Sequence, residues 1–291
     1  MPRHFLTGSE LTAGELHAVL DRAAELKAAP LSSRALDGRH VALVFDRPST
    51  RTRLSFEAGV VEMGGHPLVL RGDELQLSRG ESLRDLALVL SGQVHAVGVR
   101  TGAHSTVEEL ARYGSIPVVN MLTADHHPCQ ALADLFTLRE RFGELEGRKL
   151  AYVGDGNNVA RSLALLGALA GVEVTVASPE GYRLEADAGA RLVDDPAEAV
   201  AGASAVYADV WVSMGDEDGA DARRAALEPY RLDDALLDRA GPEAVALHCL
   251  PAHPGEEISA EVLYGVRQLI WEQAENRRHA QKALLEMLLD S

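Results

Sequence analysis

Five consecutive residues of this sequence bring together groups that bind phosphate, namely Ser49, Thr50, Arg51, Thr52 and Arg53. The segment follows an apolar, strand-like run, HVALVF (40–45), and Pro48 separates the two. Ser49 or Thr50 can therefore cap a helix whose first turn carries three hydroxyl and two guanidinium groups. A helix N-terminus favours an anion, and arginines add charge-assisted donors for phosphate oxygens. An ordinary solvated helix start with an Arg53–Glu57 pair fits equally well, so this segment alone leaves both interpretations open.

Further polar residues follow other strand-like segments. In the first half of the chain these are Arg100, His127 and Gln130. In the second half they are Asn157, Asn158, Asp209, Ser213, His248 and Cys249. Ligands of open α/β sheets bind beyond the carboxyl ends of the strands, so we expect each set to gather there. The first set is cationic, whereas the second offers a carboxylate, amides, a hydroxyl and a thiol. This asymmetry predicts an anion held by one domain and an amine-bearing substrate held by the other.

Several of these features also have simpler interpretations. His127 precedes Pro128 and can be a loop histidine beside a helix start, and a free cysteine such as Cys249 is often an inert buried hydrophobe. The spacing of His248, Cys249 and His253 matches no common structural zinc pattern, so no metal is expected. The segment GDGNNVA (154–160) lacks the third glycine of a dinucleotide-binding fingerprint. It is weak evidence for a nicotinamide dehydrogenase, and no cofactor is expected.

The elements that must position these residues alternate between strand and helix along the chain. Strand-like segments lie at 40–45, 66–70, 94–99 and 116–120, and again at 149–154, 172–177, 204–209 and 243–249. Helical periodicity fills the intervals, and a capping box at Ser105–Glu108 is expected to open one of the helices. The pattern predicts an α/β fold of two doubly wound domains joined by helices, each with a mainly parallel sheet.

The two domains are expected to meet within the helix at 130–142. We assign 1–134 to the first domain and 135–267 to the second. The amphipathic helix at 266–289 closes the sequence, and we expect its part from 268 to 291 to pack back on the first domain.

Composition excludes several classes of partner. The 291 residues carry 28 basic and 44 acidic side chains, giving a formal charge of −16 that disfavours nucleic acid and anionic membranes. Two cysteines provide no disulfide framework and fit a reducing cytoplasm. No apolar run approaches the roughly 20 residues that a membrane span requires, and no signal-peptide pattern occurs near the N-terminus. The sequence therefore predicts a cytoplasmic protein without a membrane partner.

Five ordered motifs resemble those of the ornithine carbamoyltransferases. They are FDRPSTRTRLSFE (45–57), HPCQ (127–130), GDGNN (154–158), DVWVSMG (209–215) and HCLP (248–251). Both ends of the chain resemble the family as well, so the likeness covers essentially the whole sequence. The resemblance implies transfer of the carbamoyl group of carbamoyl phosphate to the side-chain amine of L-ornithine, giving L-citrulline and phosphate in arginine metabolism. It also implies a homotrimer, or a multiple of trimers.

The resemblance also implies a role for individual residues. Carbamoyl phosphate would be bound by Ser49, Thr50, Arg51, Thr52, Gln76, Arg100, His127, Gln130, Cys249, Leu250 and Arg267. Ornithine would be bound by Asn158, Asp209, Ser213 and Met214. Four of these residues, Cys249, Arg100, His127 and Arg267, would act in catalysis. Gln76 would reach the site of a neighbouring subunit.

Other functions remain open on the sequence alone. A related carbamoyltransferase could act on putrescine, N-acetylornithine or aspartate. Aspartate needs extra basic residues for its second carboxylate, and putrescine lacks the groups that Asp209 and Asn158 would bind. A non-catalytic homologue that binds metabolites is the alternative from another class, and a turnover measurement distinguishes it.

Overall fold

The first apolar run forms strand β1 (His40–Phe45) in the computed structural model of this protein, which describes residues 2–75, 80–185, 189–212 and 218–290. Its sheet also contains β2 (His66–Arg71), β3 (Ala96–Arg100) and β4 (Val118–Leu122). These strands are parallel in the order β2-β1-β3-β4. Because the chain passes from β1 to one side and then returns to the other, β1 and β3 flank the switch point of the sheet.

The helices of the first half are α1 (Ala13–Ala28), α2 (Thr50–Glu62), α3 (Leu83–Gln93), α4 (His104–Tyr113) and α5 (Pro128–Phe142). Ser49 caps α2 as predicted, since its side chain accepts a hydrogen bond from the backbone N–H of Thr52. The expected capping box at 105–108 is wrong. Helix α4 starts two residues earlier than that box implies, at His104 after Ala103, and has no side-chain cap, so Ser105 lies inside its first turn.

The second half repeats the architecture with β5 (Lys149–Val153), β6 (Glu173–Ala177), β7 (Arg191–Val193), β8 (Ala205–Ala208) and β9 (Val245–His248). Among the described residues these strands form a parallel sheet in the order β7-β6-β5-β8-β9. Edge strand β7 was not predicted, because three residues are too few to show a periodic pattern. The switch point here lies between β5 and β8.

Helices lie between these strands and after the last of them. They are α6 (Asn158–Leu169), α7 (Pro196–Val200), α8 (Ala220–Leu227), a 3-10 turn (Glu228–Tyr230), α9 (Asp234–Ala240) and α10 (Ala260–Leu263). Both sheets lie at the centre of their cores, where large side chains such as Leu43 and Tyr152 are fully buried. Among the helices of the described residues, none is both long and apolar enough to cross a membrane. The prediction of two doubly wound α/β domains is thus confirmed.

The terminal helix α11 (Ile270–Leu289) packs against the first half of the chain, as expected. The chain divides into two compact units, of which the first ends at Phe136 and resumes at Glu275, and the second is Thr137–Ala274. The segment 268–274, which the sequence placed with the first domain, thus belongs with the second unit. Gln273 provides the reason: its side chain accepts a hydrogen bond from His248 N (3.0 Å) and donates one to Tyr207 Oη (3.1 Å).

A buried ion pair joins α11 to α2 and generates a prediction about stability. Lys282 is fully buried, and its Nζ lies 2.7 Å from Glu62 Oε2. Glu62→Gln should lower the free energy of unfolding by about 3 kcal/mol, because a buried ammonium group loses its carboxylate. Urea unfolding measures this loss. On the same helix, Glu57→Gln breaks only the exposed Arg53 pair and should cost no more than about 0.5 kcal/mol. Equal losses would contradict the prediction.

Candidate active site

A buried guanidinium group joins three elements at the carboxyl end of the first sheet. Arg277, on α11, donates from one terminal nitrogen to Thr52 Oγ1 (2.8 Å) and from the other to Gln130 Oε1 (3.1 Å). Gln130 is held in this orientation because its amide nitrogen donates to Asp134 Oδ1 (2.8 Å). All four side chains are at least nine-tenths buried. Helices α2, α5 and α11 therefore present a fixed positive charge next to the first turn of α2.

His127 adds a neutral donor to this cluster. It is almost fully buried and directly precedes α5. Burial, together with the guanidinium groups of Arg277 and Arg100, holds the pKa of His127 well below its ordinary value. Arg100 is the last residue of β3, opposite Phe45 at the end of β1. We call Thr52, Arg100, His127, Gln130 and Arg277 the cationic cluster; it lies at the switch point of its sheet.

The residues at the start of α2 differ in how deeply they are buried. Thr52 is fully buried, Ser49 and Arg51 are half-buried, and Thr50 is exposed. Arg53 instead forms an exposed pair with Glu57 (2.6 Å), so the simple interpretation of a solvated helix start is correct for this one residue. Ser49 to Thr52 remain candidates for phosphate binding because they surround the helix N-terminus.

The structure corrects the assignment of Arg267 to this cluster. Its guanidinium lies in the second unit and pairs with Asp238 (2.6 Å), whereas Arg277 occupies the expected position. Arg267 precedes α11, while Arg277 lies roughly two turns inside it. The sequence did contain a signal for Arg277. Arg277, Ala280 and Leu284 have the i, i+3, i+7 spacing of a buried helix face, where an arginine needs polar partners.

A second cluster lies at the carboxyl ends of β5, β8 and β9, within the second unit. Asp209 accepts hydrogen bonds from Asn157 Nδ2 (2.7 Å), Cys249 Sγ (2.8 Å) and the backbone N–H of Val210 (2.8 Å). Asn157 also caps α6, because its Oδ1 accepts from the backbone N–H groups of Val159 and Ala160. The carboxylate is therefore fixed in direction, with the thiol next to it. We call Asn157, Asp209 and Cys249 the carboxylate cluster.

Below this cluster, Tyr152 Oη donates to Asn157 Oδ1 (3.2 Å). Burial, reinforced by the negative charges of Asp209 and Asp155 and by Cys249, raises the pKa of Tyr152 well above its ordinary value. The phenol therefore stays neutral and serves as a donor. Asn157 is the amide that contacts Asp209, whereas the predicted Asn158 is the first residue of α6 and is half-buried.

The turn that carries Cys249 is held by a buried imidazole–carboxylate pair. His248 Nε2 lies 3.1 Å from Glu257 Oε1, and His248 Nδ1 accepts from the backbone N–H of Leu250 (2.8 Å). Burial alone would raise the pKa of Glu257, but hydrogen bonds from His248 and the His253 backbone lower it below its ordinary value. Leu250 has a left-handed φ of 59°, a conformation that is unfavourable for leucine. The pair thus fixes a strained residue directly after the thiol.

The ligand atoms of Asp209, His248 and Cys249 lie within 4.8 Å of one another, which is close enough to bind a metal ion. Both nitrogens of His248 already have partners, and the thiol donates to Asp209. A metal would have to break these bonds, so the donor set fits a hydrogen-bonded network better. Gln76, Ser213 and Met214, which the sequence assigned to substrate binding, lie outside the described residues.

Both halves of the chain match the models of one protein family. Residues 3–140 match the carbamoyl-phosphate-binding domain of aspartate/ornithine carbamoyltransferases, and residues 146–288 match the aspartate/ornithine-binding domain. The ornithine carbamoyltransferase of Acidothermus cellulolyticus is 52% identical, covering 100% of this chain and 98% of that protein. A crystal structure of the Thermus thermophilus ornithine carbamoyltransferase superposes with a TM-score of 0.93 at 42% identity, over 99% of each chain. The Pyrococcus furiosus enzyme gives 0.92 at 43% identity, over 98% of this chain and 96% of that one.

The two arginines of the C-terminal segment provide a matched test of the cationic cluster. Arg277→Ala should weaken binding of inorganic phosphate by about tenfold or more, because a charged donor is lost from a buried site. Arg267→Ala removes an equal charge from a partly exposed pair and should leave phosphate affinity within about twofold of the parent. Isothermal titration calorimetry measures both. The cluster is misassigned if Arg267→Ala has the larger effect.

The lowered pKa of His127 predicts a pH dependence of folding. Below about pH 6.5 the imidazole of the unfolded chain binds a proton, whereas the buried ring of the folded protein does not. The contribution of His127 to stability is therefore complete above that pH and is lost as the pH falls. Urea unfolding at pH 7.5 and 5.5 should show a smaller loss on acidification for His127→Asn than for the parent. Identical losses of stability in the variant and the parent would refute a neutral His127 ring in the folded protein. His17→Asn, at an exposed position, is the control.

Proposed function

This chain belongs to the aspartate/ornithine carbamoyltransferase family, and we propose that it transfers the carbamoyl group of carbamoyl phosphate to the side-chain amine of L-ornithine. The products are L-citrulline and phosphate. The observation that carries the proposal is the buried Arg277 between Thr52 and Gln130, next to a neutral His127. The proposal is supported further by relatives named ornithine carbamoyltransferase, which align with this chain from end to end.

Carbamoyl phosphate binds to the cationic cluster in this proposal. Ser49, Thr50, Arg51 and Thr52 bind the phosphate dianion through the N-terminus of α2, the hydroxyl groups and the guanidinium. Arg100, His127 and Gln130 surround the carbamoyl group and the phosphate, and Arg277 takes the role first given to Arg267. A neutral imidazole suits this position because it donates a hydrogen bond without adding a further repulsive charge beside two arginines. Gln76 keeps its proposed role at a neighbouring subunit on sequence grounds alone.

L-Ornithine binds to the carboxylate cluster. Asp209 attracts the ammonium group of the amino acid head, and Asn158 contributes an amide at the start of α6. Ser213 and Met214 complete the head-group site on sequence grounds. Cys249 and Leu250 lie beside the reacting amine and the carbamoyl group. The three donors on Asp209 fix its direction, so the carboxylate is oriented before the substrate arrives.

The chemistry is a direct transfer. An alkylammonium group has a pKa near 10.4 in water and is not nucleophilic, so the site must bind or generate the neutral amine. The amine nitrogen attacks the carbonyl carbon, and the oxygen becomes an oxyanion that Arg100, His127, Thr52 and Arg277 stabilise. Loss of one such donor typically raises the barrier by about 2.7–4 kcal/mol. The carbon–oxygen bond to phosphate then breaks, and the departing phosphate takes the proton of the amine. Cys249 forms no covalent intermediate.

The proposal extends to assembly, location and pathway. We place the protein in the cytoplasm as a homotrimer or a multiple of trimers, acting in arginine metabolism. Leu54 and Val61, seven residues apart on α2, are 63% and 60% exposed, which suits a helix face that a neighbouring subunit covers. The sequence has two cysteines and therefore no disulfide framework, which suits a reducing compartment.

The direct test is citrulline formation from carbamoyl phosphate and L-ornithine by the purified protein. Parallel assays with putrescine, N-acetylornithine and aspartate distinguish the related activities, and turnover of none of them would leave a non-catalytic homologue. Cys249→Ser should lower turnover at neutral pH by about tenfold or more, because a partner of Asp209 and of the amine is altered. Cys129→Ser, at the other cysteine, should retain turnover. Full activity of Cys249→Ser would remove the role proposed for the thiol.

A further inference from the structure

A fully buried hydroxyl group organises the turn between β4 and α5. Thr123 Oγ1 lies 2.9 Å from His104 Nδ1 and accepts hydrogen bonds from the backbone N–H of His126 (3.2 Å) and from Asn120 Nδ2 (3.3 Å). The backbone closes the same turn, since Thr123 N donates to His126 O (2.8 Å). Asn120 is also fully buried and donates to Leu6 O (2.8 Å), which ties the N-terminal segment to the turn. We call these contacts the Thr123 hub.

The Thr123 hub fixes the backbone next to His127. His127 follows directly after His126, whose backbone N–H and carbonyl are both bound in the turn. The carbonyl of His127 accepts from the N–H of Gln130 (3.0 Å) and thereby starts α5. The positions of His127 and Gln130, two members of the cationic cluster, therefore follow from the geometry of this turn.

The Thr123 hub also contacts the segment that follows Arg100. His104 is the first residue of α4 and ends the short segment that follows Arg100. Two backbone hydrogen bonds join the same two segments as the His104–Thr123 contact. Thr101 N donates to Leu122 O (3.0 Å), and Ala124 N donates to Gly102 O (2.8 Å). The two loops that carry Arg100 and His127 are therefore joined along their length. Thr123 supplies a side-chain hydrogen bond between them, beside the ring contact of His104 with His126 (centroids 4.9 Å apart).

We infer that Thr123 is a positioning residue that sets Arg100 and His127 at the spacing needed to bind carbamoyl phosphate, an assignment that rests on the proposed function. Its hydroxyl acts through the two donors rather than on the substrate. Loss of the Thr123 hydroxyl should lower activity strongly although Thr123 lies outside the cationic cluster. Small displacements of the donors Arg100 and His127 raise the barrier, because the oxyanion needs hydrogen-bond donors in fixed positions.

Thr123→Val tests the inference, since it removes the hydroxyl and keeps the shape of the side chain. We expect kcat/KM for carbamoyl phosphate to fall by about tenfold to a hundredfold. KM for ornithine should change by no more than about twofold, because the carboxylate cluster lies on other elements. Thr123→Ser restores the hydroxyl and should recover activity to within about threefold of the parent. If only the methyl group of Thr123 mattered, Thr123→Val would keep its activity and Thr123→Ser would lose it.

Ser91→Ala is the matched control at the other end of the same sheet. Ser91 Oγ donates to Ala87 O (2.7 Å) and accepts from the backbone N–H of Ser115 (2.9 Å), just before β4. It should lower the melting temperature without changing KM for carbamoyl phosphate. If Thr123→Val does not fold, His104→Ala removes the contact from a half-exposed residue and should lower the same kcat/KM by about threefold or more.

The outcomes separate the two proposals. Absence of turnover by the parent protein would refute the proposed function. Turnover by the parent together with unchanged kcat/KM in Thr123→Val, or with equal losses in Thr123→Val and Thr123→Ser, would overturn the inference about Thr123 alone.

Discussion

The buried guanidinium of Arg277 is the constraint on which the cationic cluster depends. Moving a charge out of water costs several kcal/mol, so the fold must supply partners in fixed directions. Two of these are the neutral oxygens of Thr52 and Gln130, and they come from different helices. The charge acts on its surroundings, because it helps to hold the pKa of His127 below its ordinary value. A fixed cation and a neutral donor are thereby combined where two strands end.

In the second unit, the carboxylate cluster holds an anion in a fixed direction. Asp209 is directed by an amide, a thiol and a backbone N–H, each within 2.8 Å. Behind the thiol, Glu257 and His248 hold the turn in which Leu250 adopts its left-handed backbone. Such backbone strain persists only where surrounding hydrogen bonds and packing hold the conformation in place, and this is typical of functional sites. Both clusters therefore rely on buried polar networks rather than on single residues.

Much of this arrangement was predictable from local patterns. The apolar run at 40–45, the cap at Ser49 and the polar residues at strand ends correctly indicated two parallel sheets with polar clusters at their carboxyl ends. The predictions failed where a choice depended on distant partners. Arg267 and Arg277 belong to the same C-terminal segment, yet only Arg277 reaches Thr52. The three-residue strand β7 was missed because it carries too little pattern to distinguish it from a loop.

The sequence by itself determined the alternation of strands and helices and the kinds of donor at each strand end, because periodicity and capping are properties of neighbouring residues. The tertiary structure decided which arginine enters the cationic cluster and that Asn157, rather than Asn158, contacts Asp209. It also decided that a buried threonine joins the loops of Arg100 and His127. The physical reason is separation along the chain. Arg277 and Thr52 are 225 residues apart, and Arg277 and Gln130 are 147 apart, so only the packing of α11 on the first sheet brings them together.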